Sequence, residues 1–218
     1  MKPLLLLGAN NPELVRQAHA VEASGQPVAG LLDNDPAKWG QDFHGLRVLG
    51  GFERLSELVA DYRFVNLITR DCRTRHHTTR ALLQAGAELG DFIHPQLELD
   101  MVRLGAGSYL QQFAVLQADV WLGRNCSVSA GSIVNHECRL GDSVFIAPGA
   151  NLCGKVMVGD GVFIGASAVI LPRLQVGAWA TIGAGAVVTR DVPSGAVVIG
   201  NPARVIRYES IEKESLDD

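Results

Sequence analysis

The sequence predicts an α/β lobe followed by an all-β parallel β-helix. Two observations carry this: alternating strand and helix signals over the first ninety residues, and a strict six-residue period from 104 to 193. Stepping by six from Leu104 gives Leu110, Leu116, Leu122, Val128, Val134, Leu140, Ile146, Leu152, Val158, Ile164, Ile170, Val176, Ile182 and Val188, an aliphatic residue at every stop. Neither a helix of period 3.6 nor an alternating strand of period 2 produces a six. Hexapeptide repeats of this kind build a β-helix, three short strands to a coil.

Each element follows from its residues. In the first lobe, Leu4 to Leu7 reads as a buried strand closed by Gly8. Asn11 followed by Pro12 is a helix start, a capping side chain ahead of a first-turn proline, and that helix should run to about Ser24. Val28 to Leu32 is a second strand, leading into the polar loop Asp33-Asn34-Asp35-Pro36. A strand is expected near Val48, a helix from about Phe52 to Asp61, a strand over Phe64 to Ile68 and a helix from Thr74 to Ala85. Such alternation implies a parallel sheet covered by helices. Ligands of these sheets sit beyond the carboxyl ends of the strands, which places Gly8, Asn11, Asp33 and Asn34 on one candidate rim.

In the repeat, the aliphatic stop should point inward and stack on its counterpart eighteen residues later. Four residues after each stop comes a compact side chain, such as Ser108, Ala114, Ser132, Ala150 or Ala168, with Leu174 the large exception. Cys126 and Cys138 fall on this position and read as small core residues. Glycine is frequent one residue after the stop (Gly105, Gly123, Gly141, Gly159, Gly165, Gly177, Gly183), where it is expected to supply unusual corner dihedrals. Fifteen hexads make five coils, a prism roughly 24 Å tall at the spacing of paired strands. Exposed apolar residues such as Phe113 and Val115 on its flat faces predict an interface between copies.

Composition narrows the function classes. The 218 residues are 47% hydrophobic with a net charge of −4, and acidic and basic residues are interspersed, so no nucleic-acid surface is expected. The four cysteines lack disulfide or zinc spacing, and no metal site is expected. Leu4 to Leu7 is too short for a membrane span or a signal-peptide core. The reading is a cytoplasmic protein without membrane insertion.

His136 is the one histidine between 104 and 193. At the third position of Val134-Asn135-His136-Glu137-Cys138-Arg139 it should project outward near a corner. Histidine is suited to act as a base near neutral pH.

From residue 3 to about 206 the chain resembles the sialic acid O-acetyltransferase and nucleotide-amino-sugar N-acetyltransferase family of hexapeptide enzymes. The resemblance rests on LLLLGANN, then LLDNDPAKWGQDFHGLRVLG, IHP at 93–95, NHEC at 135–138, IAPGANLCG at 146–154 and GNPARVI at 200–206, in that order. It implies a Rossmann-like lobe over 1–92 that holds a nucleotide sugar. It further implies a left-handed β-helix over 93–206 that trimerises, with acetyl-CoA in the groove between two prisms, and leaves an acidic tail over 207–218. The implied activity is acetyl transfer to a nucleotide-linked amino sugar, such as a 4-amino-dideoxy sugar destined for surface glycans. His136 would be the general base and Glu137 its orienting partner. The backbone around Gly165, Ala166 and Ala184 would meet acetyl-CoA, and Gly8, Asn11, Asp33 and Asn34 the acceptor.

The chain departs from the pattern twice. The loop Gly8-Ala9-Asn10-Asn11-Pro12-Glu13 lacks a later glycine and carries Glu13 instead, and Phe145 stands where some relatives have a second histidine, which leaves oxyanion stabilisation to backbone N–H groups. Among rivals, a γ-class carbonic anhydrase needs three prism histidines. Serine and maltose acetyltransferases leave the first lobe unexplained, and a non-catalytic scaffold leaves the His136-Glu137 pair unexplained. Sialic acid O-acetylation would use the same base on a hydroxyl.

Overall fold

The structure is a computed structural model that describes residues 1–8, 11–68 and 71–210. Ala9 and Asn10 of the first loop, and the tail from Ile211, lie outside the described residues.

In the first lobe, β1 (Leu4–Leu7), β2 (Val28–Leu32), β3 (Asp42–Phe43), β4 (Leu46–Gly50), β5 (Arg63–Asn66) and β6 (Glu88–Leu89) form one sheet in the order β3-β4-β2-β1-β5-β6. All neighbours are parallel except β3, which forms an antiparallel hairpin with β4. α1 (Pro12–Ala23) begins as expected, with the Asn11 side chain accepting from the Glu13 N–H. α3 (Cys72–Gln84) starts two residues early because Asp71 caps it, accepting from the Arg73 and Thr74 N–H groups. The helix expected over 52–61 is only a 3₁₀ turn, Phe52–Arg54, and the single turn α2 (Leu55–Leu58). No side chain caps either piece. Helices gain too little from so few hydrogen bonds to propagate on propensity alone.

Past α3 the hexads form fifteen two-residue strands, five to a face. The first face carries Tyr109–Leu110, Ser127–Val128, Phe145–Ile146, Phe163–Ile164 and Thr181–Ile182. The second carries Val115–Leu116, Ile133–Val134, Asn151–Leu152, Val169–Ile170 and Val187–Val188. The third carries Arg103–Leu104, Trp121–Leu122, Arg139–Leu140, Met157–Val158 and Gln175–Val176. Pairing between coils is parallel with an eighteen-residue offset, as in Ser127 against Phe145. From Leu110 to Val188 every stop is buried, and the compact positions join them in one continuous core, Cys126 and Cys138 included. Leu104, on the bottom coil, and Leu174 are only partly covered.

The glycine expectation needs correction. For the stops from Leu104 to Ile182 the residue with positive φ is the third after the stop, not the first: Phe113 (66°), Asn125 (57°), Glu137 (62°), Lys155 (65°), Arg173 (64°) and Trp179 (61°) all turn corners this way. Glycine one residue after the stop serves close approach instead. A Cβ on Gly123 would lie 2.5 Å from the Gly141 carbonyl carbon of the next coil, and one on Gly105 2.5 Å from that of Gly123. Phe113 therefore sits on a corner rather than a flat face, 70% exposed, whereas Val115 is on the second face and 46% exposed.

The lobes meet along the first face. Phe92–Ile93 pairs below Tyr109–Leu110, and the buried Gln17 amide donates to the carbonyls of Phe92 and Leu110. Arg75 is fully buried at this seam, donating to the carbonyls of Asn66 and Ile68 in one lobe and of Asn125 in the other. Burial pushes its guanidinium down to about 10. At the far end, Ala196–Ile199 extends the first face and pairs antiparallel with Arg204–Tyr208. Regular structure thus runs past residue 206, where the tail was expected to begin.

Candidate functional site

The three corners of the prism carry different chemistry. On the corner between the second and third faces, Val134 points into the core and directs His136 outward, its side chain 54% exposed. Because Glu137 adopts the left-handed corner conformation, its carboxylate lies alongside the ring, with Oε2 2.9 Å from His136 Nδ1. Lys155 Nζ, one coil higher, is 3.3 Å from Glu137 Oε1. Hydrogen bonds from His136 and then Lys155 hold the Glu137 carboxyl below the usual carboxylate range. An ionised carboxylate on Nδ1 fixes the proton there and leaves Nε2 as the acceptor.

Neighbouring coils hold this ring in place. The His136 N–H donates to Gln117 Oε1 at 3.1 Å, and the His136 carbonyl accepts from the Lys155 N–H at 3.0 Å. His136 Nε2 lies over Gly154, where a Cβ would stand only 2.6 Å away. Reading the sequence residue by residue missed Gln117, Gly154 and Lys155. The signal was available for two of them, since Gly154 and Lys155 lie eighteen residues beyond His136 and Glu137 and so sit directly above.

Ala166 and Ala184 are exposed and stacked on another corner, between the first and second faces, with the Gly185 N–H donating to the Ala166 carbonyl. Gly165 beside them has no room for a side chain, since its Cβ would meet the Ala184 nitrogen at 2.5 Å. The candidate base and the candidate donor track are therefore separated by the whole second face within one chain.

On the first lobe, Gly8 and Asp33 do share a rim: the Gly8 N–H donates to the Leu32 carbonyl, and open space surrounds Gly8 at φ 108°. The polar side chains of that rim also build it. Asp33 pairs with Lys38 at 2.8 Å and accepts from the Asp35 N–H, and Asn34 Oδ1 accepts from the Phe52 N–H. Asn11 and Glu13 line a cavity of about 240 Å³ that is closed by Leu67, Tyr109, Phe145 and Pro148. Phe145 is stacked on Phe163 with ring centroids 5.3 Å apart. It forms an apolar wall at the lobe seam on the first face, away from the His136 corner. Glu13 faces Arg16, whose guanidinium keeps its carboxyl below the ordinary range. Among the described residues no helix is long and apolar enough to cross a membrane.

Comparison with known proteins bears on this arrangement. The family model for bacterial transferase hexapeptide (six repeats) matches residues 137–172 and 155–190. No curated protein sequence matches the chain. Among solved structures, perosamine N-acetyltransferase from Caulobacter crescentus, in complex with CoA and GDP-perosamine, is 32% identical with a TM-score of 0.84, over 94% of this chain and 97% of that one. The acetyltransferase domain of PglB from Neisseria gonorrhoeae, in complex with acetyl coenzyme A, is 29% identical with a TM-score of 0.83, covering 94% and 99%. WeeI from Acinetobacter baumannii is 27% identical with a TM-score of 0.81, covering 94% and 100%. On this similarity along nearly its whole length, the chain belongs to the hexapeptide-repeat family of sugar acetyltransferases and is an acyltransferase.

Proposed function

We propose that the protein transfers the acetyl group of acetyl-CoA to the amino group of a nucleotide-linked amino sugar, with His136 as general base. The observation that carries this reading is the exposed His136-Glu137 pair. The carboxylate holds Nδ1, while Nε2 lies against Gly154, whose missing side chain leaves it room, in a side chain that is 54% exposed. An attacking amine must lose a proton as it closes on the thioester carbon, and Nε2 is placed to take it. The Glu137 carboxylate stabilises the imidazolium that results. The solved relatives with CoA and GDP-perosamine support the donor and the acceptor class.

The separation of His136 from Ala166 and Ala184 supports a homotrimer, in which one copy's base faces the small-residue corner of the next. Val115, Ile133, Val169 and Val187 on the second face, with Phe113 at its edge, would be covered by that contact. The first lobe, 1–92 and Rossmann-like in this reading, binds the acceptor beside Gly8, Asn11, Asp33 and Asn34. The prism, left-handed and spanning 93–206, binds the donor. The setting is the cytoplasm, and the products serve polysaccharide synthesis.

Thiol release from acetyl-CoA, measured against a panel of nucleotide amino sugars, sialic acid and serine, tests the reading. Turnover with a nucleotide amino sugar is expected. Turnover with sialic acid alone would replace it with O-acetylation, and none with any acceptor would overturn it. Light scattering should give three times the mass of the chain.

A further inference from the structure

The outer face of α3 is cationic. Its inner face buries Cys72, Arg75, Thr79 and Leu82, and two of these reach the prism, Cys72 at the Val162 carbonyl and Arg75 at that of Asn125. The outer face carries Arg73, His77 and Arg80 at helical spacing, and no acidic residue lies anywhere in Cys72–Gln84. Leu83, next along, is 40% exposed. It borders a cavity of about 460 Å³ between α3 and the corner of Arg124, lined also by Thr79, Arg80 and Trp179. The acids on the prism side of that cavity are engaged: Asp142 pairs with Arg124 at 2.8 Å, and Asp160 Oδ1 accepts from the Asp142 N–H.

The described chain leaves the prism at the other end of this face. After Arg204–Tyr208 the Glu209 N–H donates to the Gly195 carbonyl, and the Ser210 carbonyl accepts from Arg73 Nη2 at 2.8 Å. A smaller cavity of about 360 Å³ lies there, lined by Arg73, His77, Glu209 and Ser210. The eight residues that follow read Ile-Glu-Lys-Glu-Ser-Leu-Asp-Asp, four acids against one lysine.

From this match we infer that residues 211–218 dock along α3 as a strap, with their carboxylates over its cationic face and Leu216 in the cavity beside Leu83. The reach is sufficient. Leu83 lies about 15 Å beyond Arg73 along the helix, and the six residues from Ser210 to Leu216 span about 20 Å when extended. Opposite charge selects the path, and an apolar residue set within the acidic run meets the apolar lining of the larger cavity. The strap leads from the last strand of the prism back onto the first lobe. It therefore backs from outside the seam that Arg75 holds from within.

Two measurements on the full-length protein test this. Leu83→Cys combined with Leu216→Cys should give, on mild oxidation, a disulfide within one chain that peptide mapping detects and neither single variant shows. Native Cys72, Cys126 and Cys138 are buried and do not compete. A link between two chains would assign the face to a second copy, and no link would leave the cavity to another occupant; either result overturns the inference. In the second, Glu212→Gln, Glu214→Gln, Asp217→Asn and Asp218→Asn are placed in one chain. Amide hydrogen exchange over Cys72–Gln84 should then quicken about fivefold while the prism coils hold, and high salt should move the wild type the same way. Exchange over α3 equal to wild type in the neutralised protein would refute the strap. So would a rise spread over both lobes, which marks loss of the fold.

Discussion

In the prism one rule repeats every eighteen residues and each coil rests on the one below; in the first lobe each turn is settled by its own polar group. The inward side chains from Leu110 to Val188 hold the prism together, so the outward His136 ring is free of core packing. The rim of the first lobe lacks that freedom. Asp33 closes a loop with Lys38 and the Asp35 N–H, Asn34 pins the Phe52 N–H, and Asn11 caps α1. A substitution of His136 therefore reports on chemistry. A substitution at the rim mixes binding with folding.

The largest expected effect tests the prism half of this contrast. His136→Ala should lower kcat by about 10²- to 10⁴-fold, the usual range for loss of a general base, with the melting temperature and both substrate affinities close to wild type. A comparable loss of melting temperature would mean that the corner does carry structure. Near-normal turnover in a folded protein would mean that the base is elsewhere.

An inward residue should behave oppositely. Ile146→Ala removes a fully buried side chain from the middle of the stack and should cost about 2–5 kcal/mol in denaturant unfolding. A cost below about 1 kcal/mol would show that the coils repack, contrary to their fixed eighteen-residue register.

At the rim, Asn11→Ala should do two things at once. Loss of the cap should cost about 1 kcal/mol of stability, and acceptor KM should rise while donor KM holds. Unchanged stability with a raised acceptor KM would make Asn11 a binding residue only, with no part in holding α1.

The smallest effect concerns the charges around the base. Glu137 has its carboxyl pKa lowered in the folded protein, so its pairing contributes above the ordinary glutamate value and is lost as pH falls through the depressed folded value. Lys155→Ala removes one cause of the depression. NMR titration of the Glu137 carboxyl should then show its midpoint move up toward the ordinary value, about 4.3. No upward movement would mean that the His136 hydrogen bond accounts for the whole shift.

The prism was legible in the sequence because position in a hexad fixes whether a side chain points in or out. Cys126 and Cys138 were read as core and are fully buried, and His136 was read as outward and is. The role of the hexad glycines was not legible. Frequency at a position does not distinguish a need for left-handed backbone from a need for space, and only the 2.5 Å approach of the next coil does. In the first lobe the strands and α1 followed from apolar runs and a cap. The helix expected over 52–61 shrank to two short turns, since its pattern had no capping side chain behind it.

The sequence by itself determined the coil, its count of fifteen hexads, the parallel character of the first sheet and the outward placement of His136. These depend on local periodicity, which hydrophobic burial converts directly into structure. Tertiary structure alone decided what lies across a distance in the chain. Lys155 reaches Glu137 and Gly154 meets the imidazole from one coil above, Phe145 walls the cavity lined by Asn11 and Glu13, and Arg75 ties three carbonyls of two lobes into one seam. It also separated the candidate base from the small-residue corner by a full face, because three strands to a coil send successive corners in three directions.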